Sequence, residues 1–118
     1  MPHLHLETTA DLPENADIPD ILAALVEALS EQETVESDRV RAYHSLRSNW
    51  VVGDGAPEGF AHLTIAAFEG RPPEWRSAVS KAMMVVLQER FAMSLEAHEV
   101  SVTVEVRQME RSSYLRQV

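Results

Sequence analysis

One order of periodic segments occurs twice in this chain: an alternating run, a helical stripe, then a second alternating run. In the first half, Leu4 and Leu6 alternate with His3, His5 and Glu7 over His3 to Thr8, the two-residue period of a strand. The loop-forming stretch ADLPENA follows, and Asp17 is placed to cap a helix with Pro19 tolerated in its first turn. Ile18, Ile21, Leu22, Leu25, Val26 and Leu29 share one helical face, which predicts a helix to about Glu31. A second alternation from about Arg39 to Val51 sets Val40, Ala42, His44, Leu46 and Trp50 against Arg39, Arg41, Tyr43 and Arg47.

The turn-forming GDGAPEG breaks the chain, and the same order begins again. Phe60 to Phe68 (FAHLTIAAF) is apolar enough to predict a strand covered on both faces. EGRPPEW reads as a helix start, because its prolines give up N–H groups that a helix leaves unpaired anyway. Trp75, Val79, Ala82, Met83, Val86 and Leu87 carry the stripe toward Phe91. Val100, Val102, Val104 and Val106 then alternate with Ser101, Thr103, Glu105 and Arg107. The expected fold is α+β: two βαβ units forming a four-stranded mixed sheet with both helices on one face. The halves are about 2–52 and 59–107, with a tail at 108–118, all in one domain of 118 residues. The free sheet face needs a cover, since His44, Trp50, Phe60 and the last-strand valines are too apolar to leave half of them in water. Self-association is therefore expected.

Charge and composition narrow the function. The net charge of −9 argues against nucleic acid, which requires a basic footprint. Residues 1–38 hold ten of the 19 carboxylates and no Lys or Arg, and nine of the ten basic residues are Arg. Arginine suits bidentate carboxylate recognition, although arginine usage alone defines no site. No apolar run is long enough to cross a bilayer, and neither a basic n-region nor an apolar h-region opens the chain. The absence of cysteine excludes disulfide and thiol chemistry, and a cytoplasmic location is expected.

No phosphate loop, GxGxxG, HExxH, calcium loop or GxSxG elbow is present. His3 and His5 share a strand face but lack the further ligands and spacing of a metal site, so no metal is expected. His62 reads as a hydrogen-bonded core residue, with His3 and His5 partly exposed. Arg71 lies at the mouth of the second helix, where backbone dipoles favour an anion. Arg41 sits mid-strand on the polar face, and either arginine would serve equally as a surface partner of a nearby Glu. Pro2 is acceptable as an ordinary strand start. Without Met1, it would instead present a secondary α-amine. Burial or cationic neighbours would lower that amine's pKa and leave a neutral base. Loss of Met1 is expected from the small size of proline; a retained Met1 makes the nitrogen an amide without basicity.

MPHLHLE, DRVRAYH and FAHLTIAAFEGRPPEWR together resemble the tautomerase superfamily, and within it most closely the 5-carboxymethyl-2-hydroxymuconate delta-isomerases. The resemblance covers roughly residues 2–107. It implies a homotrimer of two-βαβ chains and an isomerisation that uses no cofactor. In that reaction an amino-terminal proline moves a proton along a 2-hydroxy-dienoate to give the 2-oxo-enoate isomer, in the breakdown of aromatic acids. By position, Pro2 matches the proline base and acid, Arg71 the arginine of the GR helix start, and Arg41 the arginine of the second strand. The implied substrate is a small anionic unsaturated carboxylate. Arg71 is expected to polarise its oxygen and carboxylate, and Arg41 to bind a carboxylate. Two other readings remain open: a different tautomerase-superfamily reaction (keto–enol tautomerisation or hydrolytic dehalogenation), and a non-catalytic oligomeric binding module. The tail from Gln108 matches nothing in the resemblance, and HSLRSNW stands where members of the family vary, so the resemblance does not define the pocket lining or the exact substrate.

Overall fold

The alternating segments pair into a single mixed sheet in the computed structural model, which describes residues 1–118. Strand β1 (His3–Thr9) runs parallel to β2 (Arg41–Arg47) and antiparallel to β3 (Gly59–Phe68), and β3 runs parallel to β4 (Val100–Met109). The strand order is β2-β1-β3-β4. Helix α1 (Ile18–Ser30) connects the first parallel pair and α2 (Pro73–Arg90) the second. Each half is thus a βαβ unit, and the antiparallel β1–β3 seam joins the two about an approximate two-fold axis.

The core forms where the helical stripes meet the even-numbered residues of β1 and their neighbours. Leu4 and Leu6 of β1, with Ala61, Leu63, Ile65 and Ala67 of β3, pack against Ile21, Leu25 and Leu29 of α1 and Val79, Met83 and Leu87 of α2. Each such fully buried aliphatic side chain contributes at most about 2–3 kcal/mol. Gly59 begins β3 without a side chain for a steric reason. A Cβ there would lie 2.8 Å from Leu12 Cδ2 and 2.9 Å from the Glu99 carbonyl oxygen.

Several expectations need correction. The valines of β4 and His44 of β2 face the helices rather than the free face, with Val102, Val104 and Val106 packed on the core. The free face is mostly polar. It carries His3, His5 and Glu7 beside Tyr43, Ser45 and Arg47, and His62 and Thr64 beside Thr103 and Glu105. The apolar case for self-association therefore reduces to Phe60 and a few neighbours. β3 is fully buried on one face and only half-buried on the other. His62 lies on that half-buried face, not in the core, although it is hydrogen-bonded: Nδ1 to Thr103 Oγ1 at 2.6 Å and Nε2 to Glu105 at 3.3 Å. Asp17 occupies the N-cap position of α1, but its side chain makes no capping bond, because a 3-10 turn over Pro13–Asp17 leads straight into the helix.

A short helix, α3 (Ala92–Glu96), also lies beyond the expected pattern. Its first turn is capped from a distance. The buried Glu14 carboxylate accepts the Ser94 N–H at 3.0 Å and the Ser94 hydroxyl at 2.6 Å.

Candidate active site

Strand direction determines which residues meet. His3 is opposite Arg41 on one side and Ala66 on the other, and Ala66 is opposite Arg107. The starts of β1 and β2 and the ends of β3 and β4 therefore share one end of the sheet. Pro2, Arg41, the Gly70–Arg71 turn and the tail all belong to that end.

Pro2 is buried, and its carbonyl accepts the backbone N–H of Arg41 at 3.1 Å, so the first parallel pair clamps Arg41 beside the amino terminus. The Met1 ammonium donates to the Arg39 carbonyl. Around it lies a cavity of about 350 Å³ lined by Met1, His3, Arg39, Arg41, Tyr114 and Arg116, with Gln117 and Val118 at the tail end. Arg41 Nη1 donates to the carbonyls of Asp38 at 3.0 Å and Val40 at 3.2 Å, which orients the guanidinium without neutralising it. Arg39, in contrast, is paired to Glu36 at 2.9 Å. No carboxylate side chain lines the cavity. Burial, reinforced by Arg41, Arg39 and Arg116, holds the terminal amine below its ordinary pKa. His3 is lowered for related reasons: burial first, then the terminal ammonium and Arg41.

Arg71 occupies a different setting. Its Nε donates to Thr34 Oγ1 and its Nη2 to the Thr34 carbonyl, both at 3.1 Å, and the guanidinium stacks on Trp75 at 4.1 Å. Trp75 Nε1 in turn donates to the Glu33 carbonyl at 2.8 Å. Together they grip the turn after α1, where Thr34 has φ +65°, a left-handed conformation unusual for a β-branched residue. Gly70, at φ +104°, lets the chain turn from β3 into this clamp. Burial, with Arg111 nearby, lowers the Arg71 pKa. The cleft beside Arg71, about 490 Å³, is also lined by Glu31, Glu33 and Glu74. Its carboxylates repel an anion, whereas the amino-terminal cavity attracts one. The structure thus brings Pro2 and Arg41 together and places the Arg71 guanidinium in a separate cleft that shares no lining residue with the amino-terminal cavity.

Sequence reasoning missed Tyr114 and Arg116. The tail passes from β4 through a 3-10 turn at Arg111–Ser113 and returns to the amino terminus. Tyr114 is seated there by its hydroxyl, 3.3 Å from His3 Nε2, and by an edge-on contact with Phe68 at 5.1 Å. Two arginines in an otherwise unplaced tail were the only available signal.

The family model for 5-carboxymethyl-2-hydroxymuconate isomerase matches residues 2–117. The chain belongs to this family. Its membership agrees with a 5-carboxymethyl-2-hydroxymuconate Delta-isomerase of Escherichia coli, 22% identical over 110 residues that span 92% of this chain and 87% of that protein. Among solved structures, a 5-carboxymethyl-2-hydroxymuconate isomerase from Deinococcus radiodurans R1 superposes with a TM-score of 0.88 at 25% identity, covering 98% of this chain and 88% of the other. A fused 4-OT wild-type symmetric trimer superposes with a TM-score of 0.74 at 18% identity, covering 95% and 89%. This isomerase-family chain therefore has the tautomerase-superfamily fold expected from its residues. None of its helices is long and apolar enough to cross a membrane.

Proposed function

We propose that this chain is a cofactor-free, cytoplasmic isomerase that acts on 5-carboxymethyl-2-hydroxymuconate or a close relative in aromatic-acid breakdown. The observation that carries this reading is the amino-terminal cavity, which groups an amine of lowered pKa with Arg41 and two further arginines and no acidic side chain. In this reading, Met1 is removed and the Pro2 nitrogen takes its place as a neutral secondary amine. The nitrogen accepts the proton of the substrate 2-hydroxyl, and the electrons shift along the diene. The protonated amine then returns the proton to a distal carbon, which yields the 2-oxo-enoate. Atoms balance, and the amine is regenerated.

The cations have defined tasks. The dienolate carries its charge on the 2-oxygen and the conjugated carbons, and preorganised cationic donors stabilise it. Arg41, oriented by two backbone carbonyls, binds a substrate carboxylate and so fixes the acceptor carbon near the amine. Arg71 is assigned to polarising the 2-oxygen, a role that requires its guanidinium to leave Thr34 and turn out of its acidic cleft toward the amino-terminal cavity. The trimeric arrangement of the fused 4-OT relative supports a homotrimer here as well, with the half-buried polar sheet face as its contact surface.

Intact mass of the untagged protein and ultraviolet kinetics test the reading. Loss of the Met1 mass is expected. Pro2→Ala and Arg41→Ala should each lower kcat/KM by about a hundredfold or more, in line with typical general-base and charge-assisted contributions. Arg71→Ala separates direct polarisation from loop support: the former lowers kcat, the latter chiefly the melting temperature. A retained Met1, or near-normal turnover in Pro2→Ala, overturns the proline mechanism. Activity confined to a simple enol such as phenylenolpyruvate would favour another tautomerase reaction.

A further inference from the structure

The C-terminal segment has no role in the mechanism above, yet it forms one wall of the cavity that mechanism uses. Beyond Met109 the chain is fastened at three points before it reaches the amino terminus. Glu69 accepts the Arg111 N–H at 2.8 Å, the Arg111 guanidinium lies 4.2 Å over the Phe68 ring, and Tyr114 is held between His3 and Phe68. These contacts leave Arg116, Gln117 and Val118 lining the cavity alongside Arg39 and Arg41. Arg47 and Arg107 are each ion-paired to a glutamate, and Arg39 is paired to Glu36. Arg116 forms no such pair. In a chain of net charge −9, an unpaired arginine on an arginine-lined cavity has ample carboxylate partners elsewhere and is not placed against any of them.

We propose that the C-terminal segment is part of the ligand site and that Arg116 anchors a second carboxylate of a polyanionic substrate, in addition to the one held by Arg41. This inference rests on the proposed function and deepens it, because it makes the tail the part of the chain that selects di- and tricarboxylates over monocarboxylates. Arg116 reaches across to the amino terminus only because Tyr114 pins the strap. Tyr114 is therefore a positioning residue and Arg116 a binding residue.

Two measurements on the full chain test the assignment. In kinetics, Arg116→Gln should raise KM for the tricarboxylate about tenfold, the scale of one exposed charge-assisted contact, with a much smaller change in kcat. The ratio of kcat/KM for the tricarboxylate to that for phenylenolpyruvate should fall by a similar factor, and Arg116→Lys should restore part of it. In calorimetry with propane-1,2,3-tricarboxylate as an unreactive probe, Arg116→Gln should weaken binding about tenfold. Arg90→Gln, which removes the same charge near the far end of α2, should change it less than twofold. Equal losses in Arg116→Gln and Arg90→Gln would reduce the effect to net charge and overturn the site. Unchanged binding in Arg116→Gln, or no binding of the probe to the wild type, would overturn it as well. Arg116-dependent probe binding without isomerase turnover would refute the reaction and leave the tail assignment standing. Normal turnover with an unchanged KM in Arg116→Gln would do the reverse.

Discussion

His44 shows how one residue can look apolar in a pattern and be polar in the fold. It falls on the helix-facing side of β2, where Thr8 Oγ1 meets its Nε2 at 2.7 Å. Thr8 donates its single hydroxyl hydrogen to Asn15 Oδ1, and the Asn15 amide is oriented by donating to the Thr9 carbonyl at 2.9 Å. The shared hydrogen bond therefore needs the imidazole N–H on Nε2, which is available in the neutral ring. Burial, then the charge of His5, keeps the His44 pKa below its ordinary value. The sign of the linkage follows directly. Below about pH 6.5 the unfolded chain takes up a proton that the folded chain refuses, so stability falls as pH drops through that range. The melting temperature should decline between about pH 7.5 and pH 5.5, above the carboxylate range, and His44→Gln should flatten the slope. An unchanged slope in the variant would remove His44 as its source.

At the scale of elements, the periodicities of the strands and both long helices were legible because each is a local property of ten or twenty residues. Ile21, Leu25 and Leu29, and likewise Val79, Met83 and Leu87, are buried at the spacing their letters suggest. What joins the elements was not legible. The Arg71–Thr34 clamp spans 37 positions and the Glu14–Ser94 pair spans 80, and no window of periodicity contains both partners. Pro2 and Arg41 were readable as candidates from their residue types and positions, with roles supplied by the family resemblance, and Arg116 through nothing but its residue type. Glu14 carries a test of this level. Glu14→Ala leaves the Ser94 N–H and hydroxyl buried without an acceptor and should cost about 2–3 kcal/mol in denaturant unfolding. Glu14→Gln, which keeps one acceptor oxygen, should cost less. Equal stability of all three proteins would show that α3 does not depend on the contact.

For the whole molecule, the sheet resolves a contradiction between the net charge and the proposed substrate. A chain of net charge −9 should repel a polyanion, yet three of its nine arginines line one cavity at one end of the sheet. A local cationic field of this kind is screened by salt. The kcat/KM for a tricarboxylate should fall several-fold between about 0.01 and 0.15 M ionic strength, as the Debye length shrinks from about 30 Å to about 8 Å. A monocarboxylate should show a shallower dependence, and identical slopes would exclude steering by this end.

The approximate two-fold axis between the βαβ units has a consequence for stoichiometry. Turning the first unit onto the second, with Leu6 falling on Leu63, carries His3 onto Phe60 and Pro2 onto Gly59, at the opposite end of the sheet. There the chain continues through a peptide bond on both sides, and the Glu58 carbonyl accepts the Trp50 indole N–H at 2.9 Å. A duplicated scaffold therefore has two equivalent corners, of which only one is able to expose a titratable nitrogen. On the proposed mechanism, saturation should come at one ligand per chain, not two.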